Sequence, residues 1–322
     1  MDQIAVAPID LSGRVAIITG AGRGIGRAYA LLLAQRGAAT VINDPGIEPN
    51  GVTGDSFVAN DVVDEIVASG GRAVASTASV ATADGGAAIV ATALEAFGKV
   101  DLLVHNAGVV YPSRFADQPI EEVRQTLDVH LLGAWHVGQP AWRDMESRGY
   151  GRIVFTSSMA QFGHFRQPAY ASAKAGVIGL TKSLSHDALD RGIDIKTNAI
   201  CPLAGTRLAL PSAKEAWGEL MDPGNVAAVV AYLLSDECPV TGEIIHAGGS
   251  HMARGFIGQT LGWYSGQPGL TPEDVREHWA EACDMTAFEL PRNANEQMQL
   301  VERIVLGQPI PSAPHHHLER AQ

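Results

Sequence analysis

Short apolar, β-branched runs alternate with longer alanine- and leucine-rich segments along residues 14 to 200. The runs are RVAIIT (14 to 19), ATVIND (39 to 44), RAVAST (72 to 77), VDLLVHN (100 to 106), GRIVFTS (151 to 157) and IDIKTNAI (193 to 200). Between them lie segments of helical composition over 25 to 36, 55 to 69, 84 to 97, 119 to 147 and 169 to 191. This alternation predicts parallel strands joined by helical crossovers. VAIIT and DLLV are almost continuously apolar, which predicts strands buried on both faces. The expected fold class is α/β, a doubly wound parallel sheet that binds its ligands at the carboxyl ends of the strands.

Two stretches leave the alternation. PGIEPNGVTG (45 to 54) collects Pro, Gly and Asn into a loop after the second strand. Beyond about residue 250 the strand pattern disappears, and TPEDVREHWAEACDM begins a helix with Thr271 as N-cap, Pro272 at its first position and Asp274 three residues after the cap. A second helix over about 294 to 306 is expected to stop at Gly307, before Pro309. These patterns divide the chain into a core over residues 1 to 250, a helical extension over 251 to 310 and a flexible tail over 311 to 322. The extension shows no core pattern of its own and is expected to pack over the substrate cleft or a dimer partner.

Composition narrows the function. With 23 Lys+Arg against 35 Asp+Glu the formal net charge is -12, so a phosphate-neutralising surface for nucleic acid is not expected. A 46% hydrophobic share with 18% charged residues suits a globular protein. Cys201, Cys238 and Cys283 are odd in number, far apart and without CxxC spacing, which fits a reducing compartment. The opening MDQIAVAPIDLSGR reads as neither signal nor membrane anchor, and the final ERAQ is not an SKL-type address, so a cytoplasmic location is expected. His246 and the HHH tract at His315 to His317 invite a metal reading, but a terminal tract with no preformed cage reads as tail, and no metal is expected.

The turn after the first strand reads Thr19-Gly20-Ala21-Gly22-Arg23-Gly24-Ile25-Gly26. Placed between a strand and a helix, its glycines would let backbone N–H groups and the helix dipole hold a pyrophosphate; otherwise it is a glycine-rich connection. Asp44 follows eighteen residues after Gly26, at the end of the second strand. A carboxylate there accepts from both ribose hydroxyls and repels a 2′-phosphate, favouring NAD over NADP, with Arg23 acting slightly against that preference. Its alternative role is to start the turn with Pro45 and Gly46. Asn106-Ala107-Gly108 ends the fourth strand beside the expected crevice, or is a plain turn.

Tyr170 and Lys174, four residues apart in QPAYASAKAG, share one helix face. An ammonium beside a phenol favours the phenolate and makes it a proton acceptor for an alcohol. Ser157, thirteen residues earlier at a strand end, could hold the same oxygen. A lone YxxxK pair is more often an exposed helix face; the combination with the glycine turn and the serine is what points to chemistry.

Together the TGxxxGxG turn, Asp44, Asn106-Ala107-Gly108, Ser157 and Tyr170-x-x-x-Lys174 resemble the short-chain dehydrogenase/reductase family over about residues 12 to 250. The resemblance implies a Rossmann fold of that type. It implies Tyr170 as base, Lys174 lowering its pKa and binding the nicotinamide ribose, and Ser157 positioning the substrate oxygen. Gly20, Gly22, Arg23, Gly24, Ile25, Gly26, Asp44, Asn106, Ala107, Gly108, Tyr170, Lys174 and Thr206 are then the NAD-binding residues, with Thr206 toward the carboxamide. Where the family carries an asparagine in the helix after the fourth strand this chain has His130, whose backbone carbonyl could still hold a relay water, or which is simply a buried helix histidine. Ala78 stands where the family has an adenine-contacting Asp, and Leu203 stands in its Pro-Gly pair.

NDPG, the 45 to 54 loop, VHLLG, CPLAGTR and TPEDVREHWAEACD resemble, more narrowly, the (3R)-hydroxyacyl-CoA dehydrogenase region of the peroxisomal type 2 multifunctional enzymes (17β-hydroxysteroid dehydrogenase type 4), through about residue 297. This resemblance implies oxidation of a 3-hydroxyacyl-CoA, or of a steroid-like alcohol, by a homodimer or homotetramer, with any enoyl-CoA hydratase a separate protein. A 3-ketoacyl reductase and an NAD-binding scaffold without turnover are the alternatives. Asp44 opposes the first; the intact Ser157, Tyr170 and Lys174 oppose the second. Trp263, Tyr264, Trp279 and Phe288 could line an acyl pocket or anchor the extension.

Overall fold

A computed structural model describes residues 7–48, 50–52, 54, 57–206, 215 and 218–310. The expected tail, including His315 to His317, lies outside the described residues. The chain forms two compact units, Met1–Gly255 and Phe256–Gln322.

The first unit runs β1 (Val15–Thr19), α1 (Gly24–Gln35), β2 (Ala39–Asn43), α2 (Val58–Ala68), β3 (Arg72–Ser76), α3 (Ala83–Phe97), β4 (Leu102–His105), α4 (Ile120–Leu127), α5 (Gly133–Arg148), β5 (Tyr150–Thr156), α6 (Pro168–Asp190), β6 (Asp194–Leu203), α7 (Pro223–Leu233), β7 (Ile244–Gly248) and β8 (His251–Gly255). The strands form one sheet in the order β3-β2-β1-β4-β5-β6-β7-β8. All neighbours are parallel except β7 and β8. Strands on one side of β1 are wound outward first, then the chain crosses to β4 on its other side. That reversal opens a crevice at the carboxyl ends of β1 and β4.

The two-residue period of β1 splits its side chains between the two faces. Ala16 and Ile18 pack with Tyr29, Leu33, Val226 and Val230, whereas Val15 and Ile17 pack with Ile89, Val90, Val137 and Phe155. Both faces are covered by helices, so β1, β2 and β4 are buried throughout, as their unbroken apolar runs predict.

The strand pattern does not end at residue 250. HMARG forms β8, which returns antiparallel along β7 as an edge strand. Its burial shows why it escapes a pattern search, since four of its five residues are exposed and lack the apolar run that marks the central strands. In the second unit Gln259–Thr260 (β9) pairs antiparallel with Phe288–Glu289 (β10), so this unit is not purely helical either. Its helices are α8 (Pro272–Ala282) and α9 (Ala294–Val305). Thr271 and Asp274 form a reciprocal capping box at α8, and Asn293 caps α9. Among the described residues no helix is long and apolar enough to cross a membrane.

Candidate active site

The carboxyl ends of the central strands open into a cavity of about 1040 Å³. Gly20, Arg23, Gly24, Ile25, Gly26 and Asp44 line it together with Asn106, Ala107, Gly108, His130, Ser157, Tyr170, Lys174 and Thr206. Gly22 is not part of the lining; a Cβ there would meet Val58 and Asp44. Ser79, Val80, Gln125, Ser158, Met159, Phe165 and Arg166 also line the cavity, and the motif reading did not single them out. Among the described residues no cluster of His, Cys, Asp or Glu could hold a metal ion.

Packing explains the glycine turn. A Cβ on Gly26 would sit 2.0 Å from the Gly20 carbonyl oxygen, a backbone atom that has nowhere to go. Asn106 braces the same turn by donating its side-chain amide to the carbonyls of Thr19 and Gly20, each at 3.2 Å. Thr19 Oγ1 accepts from the backbone N–H groups of Asn106 and Ala107 at 2.9 and 3.1 Å. Asn106-Ala107-Gly108 is therefore a clamp between the ends of β1 and β4 rather than a plain turn.

Asp44 makes the turn contact expected of it. It faces the cavity, and its Oδ2 accepts from Gly22 N–H at 3.0 Å while Oδ1 accepts from Gly46 N–H at 2.8 Å. Arg23 is held 2.7 Å from Glu48, so its charge is matched inside the protein. Ala78 does not line the cavity; its carbonyl instead accepts from the Asn43 side chain at 2.9 Å. These residues fit the phosphates and ribose of a dinucleotide, because the glycine turn and the N-terminus of α1 leave one end of the cavity free of side-chain bulk beside a carboxylate.

At the other end, Lys174 is 3% exposed and donates to the Thr156 carbonyl at 2.5 Å, with its ammonium 5.5 Å from the centre of the Tyr170 ring. Burial drives its pKa down to about 7. Burial also raises the Tyr170 phenol above its usual range, opposed by a hydrogen bond with the Ser158 side chain. Desolvation outweighs that hydrogen bond, so the phenol does not show the lowering expected from Lys174.

Both Ser157 and Ser158 line the cavity with Tyr170, and the Ser158 side chain hydrogen-bonds the phenol. Ser157 is buried, with its hydroxyl donating to the Lys174 carbonyl at 2.8 Å. β5 ends at Thr156, and successive side chains on extended backbone point to opposite sides, so a shift of one residue exchanges the serine that meets the phenol. The sequence signal that could have found it is the second serine of TSSM.

His130 lies in a π-helical turn, Asp128–Leu132, between α4 and α5. Its ring packs edge-on against Tyr170 with centroids 5.1 Å apart, and Nε2 lies 2.7 Å from the Val109 carbonyl, leaving Nδ1 buried without a partner. Gly108 makes this possible, because a Cβ there would sit 2.4 Å from the His130 ring. Burial, then the charge of Lys174, holds His130 well below its usual pKa, so the ring is neutral. A Gly108→Ala variant is expected to push the ring onto Tyr170 and cut kcat at least about tenfold, while a thermal melt shows little loss of fold; unchanged kcat would remove any role for this packing.

A second histidine ties the two ends together. Thr19 Oγ1, which accepts from two N–H groups, donates to His105 Nδ1 at 3.2 Å, and His105 Nε2 donates to the Val129 carbonyl in the π-helical turn at 3.2 Å. Burial lowers the His105 pKa to about 3, which fixes this neutral tautomer.

A parallel sheet reversing at β1 and β4, a glycine turn under a carboxylate, and a Tyr-Lys pair on α6 beside a strand-end serine define a dinucleotide-dependent oxidoreductase. The short chain dehydrogenase family model matches residues 14–207, and the chain belongs to the short-chain dehydrogenase/reductase family, whose cofactor is a nicotinamide dinucleotide. It is 37% identical over 297 residues to the peroxisomal multifunctional enzyme type 2 of Mus musculus, covering 90% of this chain and 39% of that protein. It is 39% identical over 279 residues to a short-chain type dehydrogenase/reductase of Mycobacterium tuberculosis, covering 86% of this chain and 96% of that one. The solved structure of full-length peroxisomal multifunctional enzyme type 2 from Drosophila melanogaster superimposes with a TM-score of 0.76 at 30% identity, over 93% of this chain and 50% of that one. The chain thus spans well under half of the mouse relative's length and half of the fly structure's.

Proposed function

We propose that this chain is an NAD-dependent dehydrogenase that oxidises the 3-hydroxyl of a (3R)-3-hydroxyacyl-CoA to the 3-ketoacyl-CoA. The observation that carries the reading is the Ser158, Tyr170 and Lys174 group at one end of a cavity whose other end is the glycine turn under Asp44. The chemistry NAD supplies when bound is acceptance of the hydride from the alcohol carbon. Tyr170 takes the hydroxyl proton as the carbonyl forms, the strand-end serines Ser157 and Ser158 hold the oxygen, and Lys174 supplies positive charge beside the phenolate. His130 backs the phenol from behind. The substrate class draws on the likeness to type 2 multifunctional enzymes and on the apolar lining given by Val110, Pro112, Val129 and Met159. A homo-oligomer in the cytoplasm, served by a separate enoyl-CoA hydratase, completes this reading.

The test is NAD reduction across short, long and branched 3-hydroxyacyl-CoAs and 17β-hydroxysteroids. Turnover of the thioesters in preference to the steroids is expected; NAD binding with no turnover of either would favour a scaffold or an unrelated alcohol. Asp44→Ala is expected to weaken NAD binding and to narrow the discrimination against NADP about tenfold or more, measured as the ratio of the two dissociation constants. An unchanged ratio would refute the ribose role.

A further inference from the structure

The lip of the cavity carries a cation that the reaction does not use. Arg166 lines the cavity four residues before Tyr170, is exposed, and makes no ion pair among the described residues. The other basic groups of the lining are engaged: Lys174 is buried against Thr156, and Arg23 is paired with Glu48. Arg166 is also, among the described residues, one of two non-glycine residues with positive φ, at +59°, a conformation that costs a side chain about 1 kcal/mol. The backbone holds it there, since the Arg166 carbonyl accepts from Ser113 N–H at 2.8 Å. Beside it the His164 and Phe165 rings stack on one another with centroids 4.8 Å apart, and Phe165 is 78% exposed. An open aromatic face beside an unmatched guanidinium suits a phosphorylated purine nucleoside, the base by stacking and the phosphate by charged hydrogen bonds.

We propose that Arg166, with the exposed face of Phe165, holds the phosphorylated adenosine end of the coenzyme A thioester at the mouth of the cavity. This inference rests on the acyl-CoA reading above and deepens it. The apolar interior takes the acyl group and the lip takes the polyanion. Such a contact acts on substrate capture at a distance from the reacting carbon, so it enters KM rather than kcat.

The experiment compares 3-hydroxybutyryl-CoA, its 3′-dephospho form and the N-acetylcysteamine thioester of the same acid, with the wild type, Arg166→Gln and Arg166→Lys. In the wild type kcat/KM is expected to be highest for the CoA thioester, and that advantage should shrink as salt is raised. Arg166→Gln is expected to lower the ratio of kcat/KM for the CoA over the N-acetylcysteamine thioester about tenfold, through KM, with partial rescue by Arg166→Lys. If the dephospho substrate abolishes the difference between wild type and Arg166→Gln, the 3′-phosphate is the contact; if it preserves it, the pyrophosphate is. Equal losses on the CoA and N-acetylcysteamine thioesters would overturn the phosphate site while leaving the dehydrogenase reading intact. No turnover of any thioester by the wild type, with other secondary alcohols oxidised, would overturn both.

Discussion

Tyr170→Phe is expected to lower kcat by about a thousandfold or more while leaving the dissociation constant for NADH within about twofold. In the proposed mechanism the phenol oxygen takes the substrate proton, and removing it deletes neither the glycine turn nor Asp44. Fluorescence titration of the cofactor and initial-rate kinetics separate the two effects. Because burial raises the phenol's pKa in the cofactor-free protein, wild-type oxidation should climb with pH across the neutral to alkaline range, and the residual rate of the variant should not. Equal activity in the two proteins would end the assignment of Tyr170.

Lys174→Met should separate activity from stability even more sharply. The substitution keeps length and apolar bulk but removes the ammonium, so turnover is expected to fall at least about a hundredfold. Stability should move the other way. A lysine whose folded pKa is about 7 against 10.5 unfolded binds fewer protons folded than unfolded between those values, so its penalty is largest near and below pH 7 and is relieved as pH rises. That difference corresponds to roughly 5 kcal/mol at most, reduced by about 1 to 3 kcal/mol when the Thr156 carbonyl loses its donor. The variant is therefore expected to melt several degrees higher at pH 7 and to lose the rise in stability that the wild type shows between pH 7 and 9. His105 and His130, also depressed bases, lose stability only as pH falls below about 6.5 and leave that window clear. A variant that melts lower at pH 7 would show that the ammonium stabilises the fold.

The central strands were legible because burial on both faces leaves an unbroken apolar signature, and the helices between them because their lengths leave no other use for alanine-rich segments. β8 was not, since an edge strand with four exposed residues owes its pairing to β7 rather than to its own side chains. The glycine turn was legible because only glycine survives where a Cβ would meet the Gly20 carbonyl, a constraint written directly into residue type. That Ser158 also reaches the phenol was not, because adjacent serines differ only in the direction their side chains leave the strand, which is set by where β5 stops. Arg166 carries no motif at all. Its place at the lip follows from a loop geometry that Ser113, more than fifty residues earlier, holds in place.

Asp44 has a consequence for anyone seeking to change the cofactor. Its two carboxylate oxygens already accept from the backbone N–H groups of Gly22 and Gly46, so the group proposed to select the ribose is also a structural pin of the glycine turn. Exchanging it for a neutral or basic residue would trade selectivity for a slackened turn, so affinity for NAD would drop further than affinity for NADP without the latter rising. A redesign toward NADP must therefore furnish a new acceptor for the Gly22 N–H, and release Arg23 from Glu48, before any gain from a 2′-phosphate contact can be seen.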